Sequence, residues 1–349
     1  MPIDKSIELV KFGIIGCGAI AQRYMDVFEN LKLAKVIAVA DIDFNKTAAW
    51  SKKIKCQAFA DYRHLLENKN IDVIIIATPS GLHAQIAIEA LHAGKHVVVE
   101  KPMAMTLEQA DAMIEAAKRA NLILSTMLNK RYLPACVLLK RIVEQGVLGR
   151  LLSGSVSLYW YRPQEYYDES GWRGTISMDG GVLMNQAIHH IDLLLWYMGN
   201  VKKVHAYRAT LGHNIEAEDT AVAILEFEDN ALGTINASTC SYPKNMEETL
   251  TIIGEKGSII LGGSDLNNFR LWHMAGATIQ SALNSINKLN IPKWYGHYKA
   301  IEAVSLAIID GKEGTIKNLD GKPALELVLK IYSGSNITKP EIGRKESLE

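Results

Sequence analysis

The sequence predicts an α/β protein in two parts: a doubly wound parallel sheet, then an α+β domain on a large, open, mostly antiparallel sheet. Three observations predict it. Strand-like and helix-like segments alternate to about residue 145, the repeated βα order that places helices on both faces of a parallel sheet. Beyond Gly146–Gly149 the pattern turns to period-two alternation broken by short turns. The chain's 349 residues also exceed a single core, which typically takes ~150 residues. The expected division is 1–128 and 129–349, with the C-terminal helices packing back on the first part.

The elements follow in order. An apolar run (Val10, Phe12, Ile14, Ile15) leads into Gly16-x-Gly18-x-x-Ala21 and then an amphipathic stretch through Arg23, Met25, Val27 and Phe28. Ala34–Ala40 reads as the second strand and ends at Asp41. Phe44–Lys53 is helical, and Asp61 can cap a short helix over Tyr62–Glu67. Val73–Ala77 is β-branched throughout until Ala77, as a strand buried on both faces requires. Thr78–Gly81 breaks it, Leu82–Ala93 has helical spacing, and Gly94 stops that helix. His96–Val99 is the next strand. Thr106 and Gln109 fit a capping box opening a helix to Ala120, and Leu122–Thr126 is a further strand.

In the second part, Leu152, Gly154, Val156, Leu158 and Trp160 alternate with Ser153, Ser155, Ser157, Tyr159 and Tyr161, a half-buried strand. More strands are expected at Val204–Leu211, Thr220–Phe227, Ala231–Thr239, Glu247–Gly254 and Ser258–Leu261. One apolar helix, Val182–Met198, interrupts them, and Tyr298–Asp310 and Pro323–Ser333 read as helices. A sheet covered by helices on one face commonly uses the other between subunits, so a homodimer or homotetramer through this sheet is expected.

Composition narrows the function. Lys and Arg total 38 and Asp and Glu total 38, so no basic stripe argues for nucleic acid and no polybasic segment for a membrane surface. Cys17, Cys56, Cys136 and Cys240 are scattered without a CxxC pair, which suits a reducing compartment. The N-terminal Met-Pro-Ile-Asp-Lys-Ser lacks an apolar signal core, and Val73–Ala77 is too short to span a membrane. A cytoplasmic protein is expected.

The glycine turn carries the first chemistry. Strand, Gly16-x-Gly18-x-x-Ala21 and helix form the context of a dinucleotide fingerprint. Gly16 allows the tight turn, Gly18 removes a Cβ from the path of a pyrophosphate, and Ala21 lets the helix lie close to the strand. Ala19 and Ile20 complete the turn, and the helix N-terminus favours phosphate. Asp41, at the end of the second strand, can accept both hydroxyls of an adenosine ribose and would repel a 2′-phosphate. NAD is therefore expected over NADP.

Ligands of a doubly wound sheet bind beyond the carboxyl ends of its strands, which singles out Asp41, Thr78-Pro79-Ser80 and Glu100-Lys101-Pro102. The Lys101 ammonium could stabilise negative charge on a reacting oxygen. In the second part, a helix beginning near Gly181 puts Asn185 and His189 at i and i+4 on one face, with Val182, Ile188, Leu193 and Leu195 toward the core. An imidazole there is suited to moving a proton near neutral pH. His189, His190 and Asp192 make a poor metal set, because adjacent histidines diverge on a helix, and no metal is expected.

Gly16-x-Gly18-x-Ile20-Ala21, Ala77-Thr78-Pro79-x-x-x-His83 and Ala93-Gly94-Lys95-His96-Val97-x-x-Glu100-Lys101-Pro102 together resemble the glucose–fructose oxidoreductase / inositol dehydrogenase (Gfo/Idh/MocA) family. The resemblance extends through Gly180–Asp192 and Ala324-Leu325-Glu326. It implies a Rossmann domain before an open-sheet α+β domain, and NAD(P)-linked chemistry at a ring carbon of a sugar or cyclitol. Lys101 would then touch the nicotinamide ribose and the reacting oxygen, and His189 falls where the family places its acid/base histidine. Thr78, Pro79, His83, Glu100 and Asn129 fall at positions that line the family's cofactor cleft. Many members carry an acid at Asn185. An amide cannot take a proton, so Asn185 should orient a hydroxyl.

Asn185, Leu183-Met184-Asn185-Gln186 and Trp172-Arg173-Gly174-Thr175 resemble the subgroup containing UDP-N-acetylglucosaminuronate 3-dehydrogenases. Trp172 and Arg173 thereby join the cofactor candidates. Arg173 could instead meet a sugar carboxylate, with Tyr161, Asn185 and His189 as further substrate contacts. Tyr159, Tyr166, Tyr167 and Arg162 could line the same pocket or simply pack. The expected function is NAD-dependent hydride transfer at a secondary alcohol or ketone of a sugar, nucleotide-sugar or cyclitol ring. The alternatives are a dehydrogenase or reductase of a non-sugar substrate and a non-catalytic NAD-sensing regulator on the same fold.

Overall fold

A computed structural model describes residues 9–274, 280–311 and 320–338; the N-terminal hexapeptide read above lies outside the described residues. The chain forms two units, Met1–Leu133 with Asn290–Lys322, and Pro134–Leu289 with Pro323–Glu349.

The first unit is built on β1 (Val10–Ile15), β2 (Ala34–Ala40), β3 (Gln57–Phe59), β4 (Val73–Ile76), β5 (His96–Val99) and β6 (Leu124–Thr126). They lie in the order β3-β2-β1-β4-β5-β6 and pair in parallel throughout. The winding reverses between β1 and β4, which opens a crevice at their carboxyl ends. All four residues of β4 are buried, the outcome expected of a Val-Ile-Ile-Ile strand covered on both faces. Phe12, Ile14, Tyr24, Val39, Ile75 and Val98 share one core, to which the helix Tyr295–Ile309 adds Ala300, Ile301 and Val304. Each fully buried Val, Ile or Phe side chain of this core contributes ~1.5–3 kcal/mol.

The predicted caps form. Asp61 accepts from Arg63 N and Thr106 from Gln109 N. The Gln109 side chain accepts from Met105 N rather than Thr106 N, so the box closes one residue early. Leu82–Ala93 divides into a tight turn, Ser80–Leu82, and the helix His83–His92.

The second unit carries β7 (Leu151–Tyr159), β8 (Val201–Ala209), β9 (Thr220–Phe227), β10 (Leu232–Ser238), β11 (Glu247–Gly254), β12 (Gly257–Gly262), β13 (Asn268–Met274) and β14 (Ser335–Thr338). Their order is β13-β12-β11-β7-β10-β9-β8-β14. The β7–β10 and β8–β14 pairs are parallel and the others antiparallel. On β9, Ala221, Ala223, Leu225 and Phe227 are buried while Val222 and Ile224 face out. Gly154 lets the apolar helix approach β7, since a Cβ there would stand 2.7 Å from Met198 Cγ.

Three strands escaped the sequence reading: β3, β13 and β14. Each pairs with a single neighbour at a sheet edge, and β3 is three residues long. With one partner, burial imposes little alternation on the sequence. The apolar helix also departs from a regular one. Val182–Ala187 is a π-helix and only Ile188–Met198 is α-helical, a local widening common at functional sites. Leu195 is half-buried rather than in the core. Among the described residues, no helix is long and apolar enough to cross a membrane.

Candidate active site

The first unit gathers its nominated residues at one edge, because parallel strands all end on the same side. Gly16 follows β1, Asp41 follows β2, Thr78 and Pro79 follow β4, Glu100 and Lys101 follow β5, and Asn129 follows β6. Gly16 has φ +98°, and a Cβ on it would sit 2.5 Å from the Ala77 carbonyl oxygen. Gly18 is the opposite case: a Cβ there meets nothing within 4 Å. No side chain caps the helix Ala21–Asn30, and Ala21 is fully buried against its strand. Asp41 is pinned by two main-chain donors, Cys17 N at 2.7 Å and Asp43 N at 2.9 Å. An open glycine, an uncapped helix start and a fixed carboxylate on the neighbouring strand fit a dinucleotide's phosphates and adenosine ribose. Burial pushes the Cys17 thiol up to about 12, so it is a packed neutral side chain.

Two nominated cofactor residues are turned inward. His83 is buried, with Nδ1 2.8 Å from Pro102 O and Nε2 3.0 Å from Thr78 O. The ring thus lies between carbonyls of the loop after β4 and the loop after β5. Burial holds its imidazole below the usual range, and a neutral ring donates to only one carbonyl at a time. The Glu100 carboxylate is buried and accepts from Tyr24 OH at 2.6 Å and from Lys101 N at 3.3 Å. Burial alone would raise its pKa, yet His297, Tyr24 and Lys101 outweigh that and hold it below the ordinary carboxylate range. Lys101 itself is partly exposed.

The second unit gathers the others around the apolar helix. From Gly181 through Leu194, Asn185 and His189 are the two residues that keep partial exposure; the rest are buried. They are the two side chains of this stretch that keep some access to solvent, and the turn leading to them is π rather than α. His190 diverges as expected, into the interior against Glu248 at 3.0 Å and edge-on to Trp160. Asn185 Nδ2 donates to buried Asp179, which also accepts from Gly174 N. A carboxylate only accepts, so this contact fixes the amide orientation and leaves Asn185 Oδ1 as its acceptor end.

Glu218 caps the helix start. Its main-chain oxygen accepts from Val182 N and its carboxylate from Leu183 N and Tyr332 OH. Burial raises its pKa, and Gly181 is small because Glu218 stands where its Cβ would be.

Arg162 and Arg173 stack on the same aromatic. Their guanidinium carbons lie 5.3 and 4.2 Å from the Tyr166 ring centroid, with Trp160 and Trp172 flanking at 4.9 and 5.6 Å. Arg162 donates to Gln186 Oε1 and Gln186 to Tyr166 OH, which couples the stack to the helix bearing Asn185. Tyr161 is partly exposed and packs edge-on to Tyr242, while Tyr167 is buried.

The sequence reading missed His213, Asp219 and Cys240, whose donor atoms lie within 4.8 Å of one another. His213 Nδ1 faces Asp219 at 3.0 Å and Nε2 faces the Arg162 carbonyl at 2.7 Å. The Asp219 hydrogen bond raises the imidazole to about 10. Asp219, despite burial, is lowered to about 2 by His213 and main-chain donors. This ion pair anchors the Arg162 backbone. It also missed His297, whose place beside Glu100 is fixed by tertiary packing.

A parallel doubly wound sheet with this glycine turn and ribose carboxylate, followed by an open-sheet domain presenting an amide and an imidazole, defines a dinucleotide-dependent oxidoreductase. The chain belongs to the GFO/IDH/MocA oxidoreductase family: residues 10–128 match its NAD-binding Rossmann-fold model and residues 137–260 its C-terminal domain model. Among solved structures it is similar to the WlbA dehydrogenase of Chromobacterium violaceum, in complex with NADH and UDP-GlcNAcA (36% identity, 95% of this chain and 94% of that one, TM-score 0.88). It is likewise similar to the WlbA dehydrogenase of Bordetella pertussis, in complex with the same two ligands (33% identity, 94% and 95% covered, TM-score 0.84). Levoglucosan dehydrogenase of Pseudarthrobacter phenanthrenivorans is 31% identical over 290 residues, 73% of this chain and 74% of that protein.

Proposed function

We propose that this protein oxidises a secondary ring alcohol of a UDP-linked, N-acetylated uronic acid, with NAD as the hydride acceptor. The observation that carries the reading is the likeness, over nearly the whole chain, to two dehydrogenases described in complex with NADH and UDP-GlcNAcA. Arg162 and Arg173 support it independently. Two guanidiniums on one tyrosine, with the nearest paired acid, Glu169, largely in solvent, suit an anionic substrate.

NAD, held by the protein's residues, would supply the acceptor for the hydride of the carbinol carbon. The residues manage charge and protons. An alcohol is too weak an acid for imidazole alone, so the Lys101 ammonium stabilises the developing alkoxide while His189 accepts the proton. Asn185, held by Asp179, accepts a hydrogen bond from a neighbouring hydroxyl through Oδ1. Gly16, Gly18, Ala19, Ile20, Asp41, Thr78, Pro79 and Asn129 hold the cofactor, with Trp172 and Arg173 as further cofactor or substrate contacts. Glu100 and His83 support these loops from beneath.

The protein works in the cytoplasm, consistent with four free cysteines. It pairs with a second copy through the outer face of the second sheet, where Tyr207 and Val222 sit opposite each other on β8 and β9 beside Ile224, all three exposed. The test is a dehydrogenase panel of UDP-GlcNAcA, UDP-GlcNAc, myo-inositol, levoglucosan and a simple hydroxy acid with NAD. Reduction of NAD by UDP-GlcNAcA above the others supports the reading, and preference for a neutral sugar or cyclitol rejects it.

A further inference from the structure

A carboxylate removed from water carries a large desolvation penalty unless donors replace the water. Glu100 is 6% exposed, directly before the lysine assigned to the chemistry, and a leucine or methionine would fill the space without that penalty. Three donors surround it. Tyr24 OH and Lys101 N supply two, and His297 Nε2 lies 3.6 Å from the oxygen that Tyr24 bonds.

Tyr24 arrives on the helix after the glycine turn, and His297 on the helix Tyr295–Ile309. The two rings meet edge to face at 90°, centroids 5.6 Å apart, and His297 is 5% exposed. Its other nitrogen, Nδ1, stands 3.4 Å from Asn129 Nδ2. The Asn129 amide thus meets one edge of the ring, and Nε2 is the nitrogen that faces Glu100.

His297, Tyr24 and Lys101 N thus converge on one carboxylate, with Asn129 on the far edge of the His297 ring. We propose that His297 is a positioning residue for Lys101, acting through the Glu100 carboxylate. It rests on the assignment of Lys101 made above. By holding Glu100 in one rotamer, His297 keeps Oε2 on the Lys101 main chain and a negative charge beside its ammonium. The far flank of the same turn is tied by His83 through Pro102 O. Most of the groups assigned to the cofactor, the glycine turn, Asp41, Thr78 and Pro79, lie outside this network, which meets them only at Asn129, so turnover depends on His297 far more than NADH binding does.

The test is a double-variant cycle on the full chain, with H297L, H297Q, E100Q, H297L/E100Q and K101M. Turnover of UDP-GlcNAcA with NAD, NADH dissociation constants and hydrogen exchange of the Lys101 amide without ligands are read together. H297L should lose about 10–100-fold in turnover and change NADH affinity by less than about 3-fold. H297Q, which keeps a nitrogen donor, should recover most of that loss. The double variant should be no slower than E100Q, and the Lys101 amide should exchange faster in both single variants than in the parent. Should H297L fail to fold, Y24F carries the same cycle, since it removes a donor to the same oxygen. Multiplying losses in the double variant, or parental exchange in H297L, would overturn the proposal. Parental turnover in K101M would instead remove the assignment of Lys101, and the exchange data would still judge the positioning.

Discussion

Alanine at the two glycines of the turn separates folding from binding. At Gly16 a Cβ would stand 2.5 Å from Ala77 O and 2.9 Å from Thr78 N. Those are main-chain atoms at the end of a buried strand, and they cannot swing aside. The φ of +98° adds about 1–2 kcal/mol for a residue with a Cβ. G16A should therefore lose at least ~2 kcal/mol of stability. At Gly18 the same methyl meets no protein atom within 4 Å, so G18A should fold with stability within ~1 kcal/mol of the parent. Its methyl points instead into the space assigned to a pyrophosphate. NADH affinity should fall about 100-fold, or ~2.7 kcal/mol. Urea unfolding and isothermal titration with NADH read the two effects on the same samples. Parental NADH affinity in G18A would refute the placement of the pyrophosphate over this turn.

Three further outcomes follow from the same geometry. D41S should weaken NADH and narrow its preference over NADPH by about 10-fold or more, measured by fluorescence titration of both nucleotides; an unchanged preference would remove the ribose assignment. The His213–Asp219 pair should stabilise fully between the ordinary carboxylate and imidazole ranges. Its contribution should fade as pH rises from ~6.5 through about 10, where His213 titrates, and as pH falls from ~3.9 through about 2, where Asp219 does. H213N should cost about 3 kcal/mol near pH 6 and flatten the alkaline limb of the urea midpoint against pH, whereas a parental slope would show that the pair is not what titrates. I224E should drive the protein to a smaller species in sedimentation velocity without changing its circular dichroism, and an unaltered sedimentation coefficient would move the subunit contact elsewhere.

The first unit was legible because its rules are local. A β-branched run, a glycine turn and an acid at the next strand end each carry their meaning within a few residues, and β2 and β4 fall where the pattern puts them. β9 and β11 were equally readable, since each is flanked by two strands and buries one face. Of the edge strands β6 was read and β3, β13 and β14 were not, because a strand with one neighbour needs no strict alternation. The π-turn before Ile188 leaves no mark in the apolar spacing, and it depends on Glu218 packing where Gly181 leaves room. His83 and Glu100 show the limit at the site. Motif position put both at the ligand edge, which is right for the backbone, while the direction of each side chain is set by Thr78, Pro102, Tyr24 and His297. The partial exposure of Asn185 and His189 agrees with their choice from the sequence, but the contact by which Asp179 orients the amide was not legible.

Single-turnover oxidation of UDP-GlcNAcA by the NAD-loaded protein, followed by the absorbance of reduced nicotinamide, bears most directly on the roles of Lys101 and His189. K101M and H189A should bind NADH as the parent does and each slow the hydride step by about 100-fold or more. A hydride step at the parental rate in either variant would contradict the assignment of charge stabilisation to the ammonium and of proton transfer to the imidazole.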